Sequence, residues 1–229
     1  MTARGARSAD VEPFGDGALL VTLGDGIGLA LSRRVQRLAT MIDDERGAGT
    51  PLGSPVVGYG TVLVPYDATI LDLDAARRLV ARLARRAGTV DAAEEATGAL
   101  VEIPTRYGGA DGPDLEAVAE RTGLRPRDIA ELHAGTEYRV HFLGFAPGFA
   151  YLGVLPEALS VPRRATPRTR VPRGSVAIAD RQTAVYPIDS PGGWHLIGRT
   201  DRSLWDPTRD PPASLRPGDR VRFVPVDAP

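Results

Sequence analysis

Five arginines fall between Arg163 and Arg173, threaded among Pro162, Pro167 and Pro172. A guanidinium fork matches a carboxylate or phosphate with two parallel hydrogen bonds. Prolines with pre-set angles reduce the entropy lost when such a loop orders. The stretch VPRRATPRTRVPRG is therefore a candidate anion site carried by Arg164, Arg168 and Arg170; the other reading is a solvated loop whose arginines pair with nearby acids. FAPGFAY, with Pro147, Gly148 and Phe149, forms an aromatic-lined notch over a proline turn or a corner of the core. The PGGW turn brings the backbone amides of Gly192 and Gly193 beside the Trp194 indole, which suits a binding-site rim or a subunit contact.

Three histidines complete the reactive inventory. His133, His141 and His195 match no metal-ligand spacing and no HExxH is present, so no metal site is expected. His133 sits in the last turn of a short predicted helix and is the histidine expected to act if one transfers a proton. There is no GxSxG nucleophile elbow, and the glycines at Gly24, Gly26 and Gly28 miss the dinucleotide spacing. Two absences restrict the chemistry further. The chain has no cysteine, and all 28 of its basic Lys+Arg residues are arginine. Thiolate nucleophiles, Schiff bases, a P-loop lysine and an attached biotinyl-lysine must come from elsewhere.

These residues need a scaffold, and the composition allows a sizeable one. The 229 residues are 42% hydrophobic and 25% charged, ordinary globular values that suit one large domain or two small ones. A formal net charge of −1 argues against a nucleic-acid partner. No apolar run is long enough to span a membrane, and the N-terminus lacks the apolar core of a secretory signal, so the chain is read as soluble and cytoplasmic.

Residues 1 to 12 read as a flexible tail. Gly15 to Gly24 reads as a strand with Ala18, Leu20 and Thr22 on one face and Leu19, Val21 and Leu23 on the other. Ile27, Leu31, Val35, Leu38 and Ile42 then recur at helical spacing. Val56 to Tyr66 reads as a strand kinked at Gly58 and Gly60, and Asp74 to Ala87 as a second helix stopped by Gly88. This order predicts a ferredoxin-like α+β domain over residues 13 to 90, with the boundary in the unpatterned stretch Gly88 to Gly98.

Residues 91 to 229 form the second predicted domain. Leu100 to Tyr107 reads as a strand, and Asp114 as the N-cap of a helix closed by Gly123. Pro126 opens another helix, stopped by Gly135. Tyr138, Val140 and Phe142 share one face of the next strand. From His141 to Thr200, short apolar runs alternate with Pro/Gly punctuation, the pattern of a closed or nearly closed β structure. The last strand faces Val221 and Phe223 inward, and Pro225 predicts a sheet edge.

The same pieces carry a resemblance. YGGADGPDLEAVAERTGL, LHAGTEYRV, GFAPGFAYLG, RRATPRTRVPRGSVAIA, QTAVYP, PGGWHLIGRT and LRPGDRVRFVPV occur in order over most of residues 100 to 226. In that order they resemble the family of allophanate hydrolase subunit 1 and the B-type subunit of 5-oxoprolinase, which also includes an inhibitor of a sporulation histidine kinase. The resemblance implies an N-terminal α+β domain and a C-terminal cyclophilin-like β-barrel. It also implies a companion like the C-type subunit of 5-oxoprolinase or allophanate hydrolase subunit 2. A third partner like the A-type subunit of 5-oxoprolinase, and ATP used by the complex, follow from it too. The implied activity is opening of 5-oxoproline to glutamate. The alternatives are inhibition of a histidine kinase and a carboxyltransferase role in a biotin-dependent urea system. Under the first, Gln182, Tyr186 and His133 with the arginine loop shape a pocket for a small carboxylate-bearing amide. Asp180-Arg181 stands where many members have two glycines, and Arg106 where a cysteine is common.

Overall fold

The computed structural model describes residues 9–88 and 98–227. The chain divides between residues 95 and 96 into two compact units. That junction, the interior of the predicted boundary Gly88 to Gly98, and the tail through residue 8 lie outside the described residues. Within the predicted tail, Asp10–Pro13 is a strand (β1) that pairs antiparallel with β2, Ala18–Thr22.

The first unit continues with helix α1 (Leu29–Gly47), β3 (Val56–Val57), β4 (Thr61–Pro65) and helix α2 (Leu73–Ala87). Its sheet has the antiparallel order β1-β2-β4-β3. The strand predicted over Val56 to Tyr66 is instead a hairpin. Gly58 N–H donates to Thr61 O, and a Cβ on Gly60 would strike Gly24 O, so the chain reverses where glycine permits it. Alternation places Leu19, Val21, Val62 and Val64 under the helices, against Val35, Leu38 and Ile42 of α1 and Val80 and Leu83 of α2. Asp72 caps α2 by accepting from Ala75 N–H at 2.8 Å.

The second unit holds β5 (Leu100–Tyr107), α3 (Leu115–Thr122), α4 (Pro126–Ala134), β6 (Glu137–Leu143) and β7 (Ala150–Gly153). It continues with β8 (Arg168–Val171), β9 (Ser175–Ala179), β10 (Gln182–Val185), β11 (Ser190–Gly192), β12 (His195–Arg199) and β13 (Arg220–Pro225). Seven strands close into a barrel in the order β10-β7-β6-β13-β5-β12-β9, while β8 and β11 pair separately. Gly123 ends α3 at φ +73°, and Pro126 opens α4.

The barrel interior is packed with one residue in two from each strand: Ile103, Tyr138, Val140, Leu152, Val176, Ile178, Val185, Ile197, Val221 and Phe223. Pro225 marks no sheet edge, because β13 lies between β5 and β6. Pairing with β6 stops at Arg222, so the missing proline N–H forfeits no ladder bond on that side. Among the described residues no helix is long and apolar enough to cross a membrane.

Candidate functional site

The residues left over by the barrel interior build the site. Ala177 and Ala179 of β9, Ala184 of β10 with Tyr186 beyond it, and Leu196 of β12 point outward. With Phe149, Val171 and Trp194 they form a second buried cluster on the outside of the wall. Small alanines beneath let large aromatic rings pack against the wall, and Phe149, Tyr186 and Trp194 are themselves buried there. Phe149 packs edge-on against Phe145, Tyr151, Tyr186 and Trp194 at centroid distances of 5.3, 5.0, 5.3 and 5.8 Å.

A β-bulge adds one more ring. The β6–β7 register runs Val140↔Leu152 and then Phe142↔Tyr151, leaving His141 extra. Tyr138 and Val140 face inward, but Phe142, predicted to share their face, is turned outward and stacks on Tyr151 at 4.4 Å.

Asp114 holds the loops of this surface together. It occupies the N-cap position of α3, yet its side chain makes no cap hydrogen bond. Its carboxylate instead accepts from Arg164 Nη1 at 2.9 Å and from both terminal nitrogens of Arg168 at 2.8 Å. It also accepts from Leu196 N–H at 2.7 Å, while Asp114 N–H donates to Leu196 O. Burial pushes this carboxyl up, but the Arg168 hydrogen bonds, the Leu196 amide and both arginine charges outweigh it and hold it below the ordinary carboxylate range. Arg170 is bound to Asp189 through Nε and Nη2 at 2.9 and 2.6 Å. All three arginines read as anion ligands are thus engaged with acids of this chain. The cation beside the aromatic surface is Arg163, whose guanidinium carbon lies 6.0 Å from the centre of the Trp194 ring. Its contact with the exposed Asp180 is a long one, 3.9 Å.

The PGGW turn lies against the same loop, with Arg164 N–H donating to Gly193 O and Gly192 opposite Arg168 in the β8–β11 pair. A Cβ on Gly192 would occupy the position of the Tyr186 hydroxyl, so glycine there lets the phenol reach the turn. Gly192→Ala is expected to push Tyr186 out of place and to destabilise by about 1–3 kcal/mol, the usual cost of overpacking. Thermal unfolding and the Trp194 emission spectrum check this together. Gly148 is needed for a different close approach: at φ +76°, its Cβ would press on Trp205 Cβ at 2.9 Å. Pro147 is exposed beside it.

Gln182 shares the outward register of Ala184 and Tyr186, and its buried Oε1 has no hydrogen-bond partner among the described residues. The neighbouring Asp180-Arg181 turn needs φ +50° at Asp180, and its side chains are exposed. Arg106, where a cysteine is common in the family resembled above, binds Asp111 and Asp201 at 2.8 and 2.7 Å.

His133 is elsewhere, and its predicted part in proton transfer does not suit its position. It is fully buried inside the barrel, and both ring nitrogens are engaged. Thr183 Oγ1 donates to Ala177 O at 3.0 Å, so it accepts from His133 Nε2–H at 2.9 Å. That leaves Nδ1 to accept from the Tyr107 hydroxyl at 2.7 Å. Desolvation pushes the imidazole down to about 3, so it stays neutral. His195 Nε2 donates to Pro162 O at 3.0 Å, another structural bond.

The structure therefore brings together Phe149, Gln182, Tyr186, Gly192, Gly193 and Trp194, with Arg164 and Arg168 as braces. Sequence reasoning did not single out Arg163 from its run, and it missed the outward Phe142 and the bracing role of Asp114. The assembled cluster holds buried aromatic rings and the buried Gln182 amide oxygen, with the exposed Arg163 at its edge. Among the described residues, no group of three His, Cys, Asp or Glu could hold a metal ion.

Comparison with known proteins places this arrangement among relatives. Residues 9–215 match the family model described as carboxyltransferase domain, subdomain C and D. The chain is 47% identical over 212 residues to the B-type subunit of 5-oxoprolinase from Escherichia coli O157:H7, covering 93% of this chain and 94% of that one. It is 36% identical over 219 residues to the same subunit from Bacillus subtilis (strain 168), covering 93% and 91%. The solved Kluyveromyces lactis urea carboxylase superposes on it with a TM-score of 0.78 at 20% identity, which shows a shared fold. The match covers 96% of this chain and 22% of that protein.

Proposed function

Because the chain belongs to the carboxyltransferase-domain family of subdomains C and D, we propose that it acts as the B-type subunit of a multi-subunit, ATP-dependent 5-oxoprolinase. The observation that carries the reading is the 47% identity to a subunit of that name, extending over nearly the whole of both chains. The outer aromatic surface fits a subunit that shapes a site. It presents groups that bind but no paired nucleophile and base, so the reactive groups belong to partners. Those partners are a second barrel subunit of the C type and a subunit of the A type. ATP is used by the complex and need not be bound by this chain, which has no lysine to clamp nucleotide phosphates.

In this reading Gln182 and the amides of the Gly192-Gly193 turn orient the carbonyl of a small cyclic amide, against Tyr186, Trp194 and Phe149. Arg163 faces its carboxylate, while Arg164, Arg168 and Arg170 keep the loops in place through Asp114 and Asp189. The finer fold description, ferredoxin-like over residues 13 to 90 and cyclophilin-like over 91 to 229, belongs to the same proposal. Co-expression with the A-type and C-type subunits tests it. The chain is expected to co-purify with the second barrel subunit and to support glutamate release from 5-oxoproline and ATP. The chain alone is expected to be inactive. A complete complex without that activity would overturn the assignment.

A further inference from the structure

Arg173, the last arginine of the proline-rich run, meets two arginines from outside that run at a small cleft. A cleft of about 200 Å³ opens on the second unit between the start of β9, the end of β12 and the turn that follows it. Arg173, Arg199 and Arg202 line it, with Asp201, Thr200, Ser203, Gly174, Tyr186 and Pro187. Its floor is tight backbone. Gly174 stands at φ +82° with its Cβ position against Thr200 O, and Thr200 N–H donates to Gly174 O.

The acids nearest to Arg199 are already committed. Asp189 accepts from Arg170 at 2.9 and 2.6 Å and from Arg173 N–H at 2.8 Å. Asp201 is gripped by Arg106 through two bonds of 2.7 and 3.1 Å. Arg202 spends one nitrogen on Glu102 O at 3.0 Å, and Thr200 Oγ1 accepts from Arg202 N–H at 3.1 Å. No described carboxylate binds the Arg173, Arg199 or Arg202 guanidinium. Three cations therefore line one small polar cleft, and the two acids beside them, which also feel the Arg199 charge, take their side-chain hydrogen bonds from Arg170 and Arg106. Arg199, half-buried at the end of a barrel strand, is held in place by β-ladder bonds on both sides.

We propose that this cleft binds the phosphoryl group of a small phosphorylated molecule, with Arg173, Arg199 and Arg202 as its ligands; the Ser203 hydroxyl donates to Trp205 O at 3.0 Å. Three guanidinium groups at one cleft suit a tetrahedral dianion with three free oxygens better than a planar monoanionic carboxylate, which one fork satisfies. The site is separate from the outward aromatic surface, although Tyr186 borders both. It stands or falls independently of the oxoprolinase assignment, because its test measures binding and not turnover.

Inorganic phosphate is the probe, titrated by calorimetry into the full chain, with acetate as the carboxylate and sodium chloride at matched ionic strength as controls. Phosphate is expected to bind and to raise the melting temperature above the chloride control, and acetate to do neither. Arg199→Gln is expected to weaken phosphate binding about tenfold or more, the loss of one charge-assisted hydrogen bond. Arg202→Gln, on an exposed residue outside the ladder, gives a second reading should the first variant melt early in chloride. Equal responses to phosphate and chloride, acetate binding as tight as phosphate, or unchanged phosphate affinity in a variant that melts with the parent would each overturn the proposal.

Discussion

Replacing Asp114 by asparagine is expected to destabilise the second unit by about 3 kcal/mol at neutral pH, toward the low end of what breaking a buried ion pair costs. The carboxylate is 6% exposed and takes bonds from two arginines and one backbone amide. An asparagine amide accepts at one oxygen, so part of that donor set loses its partner. Arg164 and Arg168 are 31% and 26% exposed, so water recovers some of the loss. The melting temperature is expected to fall by roughly 10 °C. The pH dependence gives a second check. The Asp114 carboxyl is held below its ordinary range in the fold, so its contribution is complete above the unfolded value of about 4 and disappears as pH falls through the folded value. Parent and variant unfolding curves are therefore expected to converge only in acid. A constant gap from pH 7 to pH 2 would show that Asp114 acts by shape alone. The function of the surface is expected to suffer with its stability, because Arg164, Arg168 and the PGGW turn share this anchor.

His133→Ala is expected to cost about 2–5 kcal/mol, since it opens a cavity in the barrel and leaves the Tyr107 and Thr183 hydroxyls short of a partner. His133→Gln fills more of the space and is expected to lose less. The informative signature is again in pH. The folded imidazole titrates near 3, far below its unfolded value of 6.5. The sign follows from that depression: the neutral ring's stability is fully present above pH 6.5 and is lost as pH falls toward 3. Each pH unit in that window removes about 1.4 kcal/mol. Denaturant unfolding between pH 7 and pH 4 is expected to show this slope in the parent and not in His133→Gln. A reconstituted complex carrying the folded glutamine variant is expected to keep the parent's pH–rate profile. A profile that lost a limb on this substitution would return His133 to the reaction.

Local patterns carried much of the fold into the sequence. Val35, Leu38 and Ile42 at helical spacing have the buried face their periodicity predicts, and Leu19, Val21 and Leu23 share one face by alternation, which the fold buries. Pro126 and Gly123 sit at helix ends for the backbone reasons that favour them there. What escaped was non-local. The Gly58–Gly60 reversal reads as a kink because β-branched residues continue on both sides. The outward turn of Phe142 depends on one extra residue in β6, which no alternation pattern reveals. Asp114 reads as a helix cap because caps are judged from four neighbouring residues, whereas its partners lie 50, 54 and 82 positions away.

The candidate site shows the same division. Pro/Gly punctuation and aromatic residues point to PGGW, QTAVYP and FAPGFAY, and the barrel brings these three together on one outer face. Charge alone misleads. Arg164, Arg168 and Arg170 look available in the sequence, but the fold supplies each with an acid. Arg173, at the end of the same run, goes instead to the separate cleft with Arg199 and Arg202.

In the proposed complex, the outer aromatic surface is the part of this chain that meets the substrate. Glutamate release from 5-oxoproline and ATP, measured on complexes assembled with Gln182→Ala and with the parent chain at equal subunit content, tests that most directly. Loss of a group that orients a reacting carbonyl is expected to lower turnover about a hundredfold with assembly intact. Full activity in a complex built on Gln182→Ala, and again on Trp194→Ala, would contradict it.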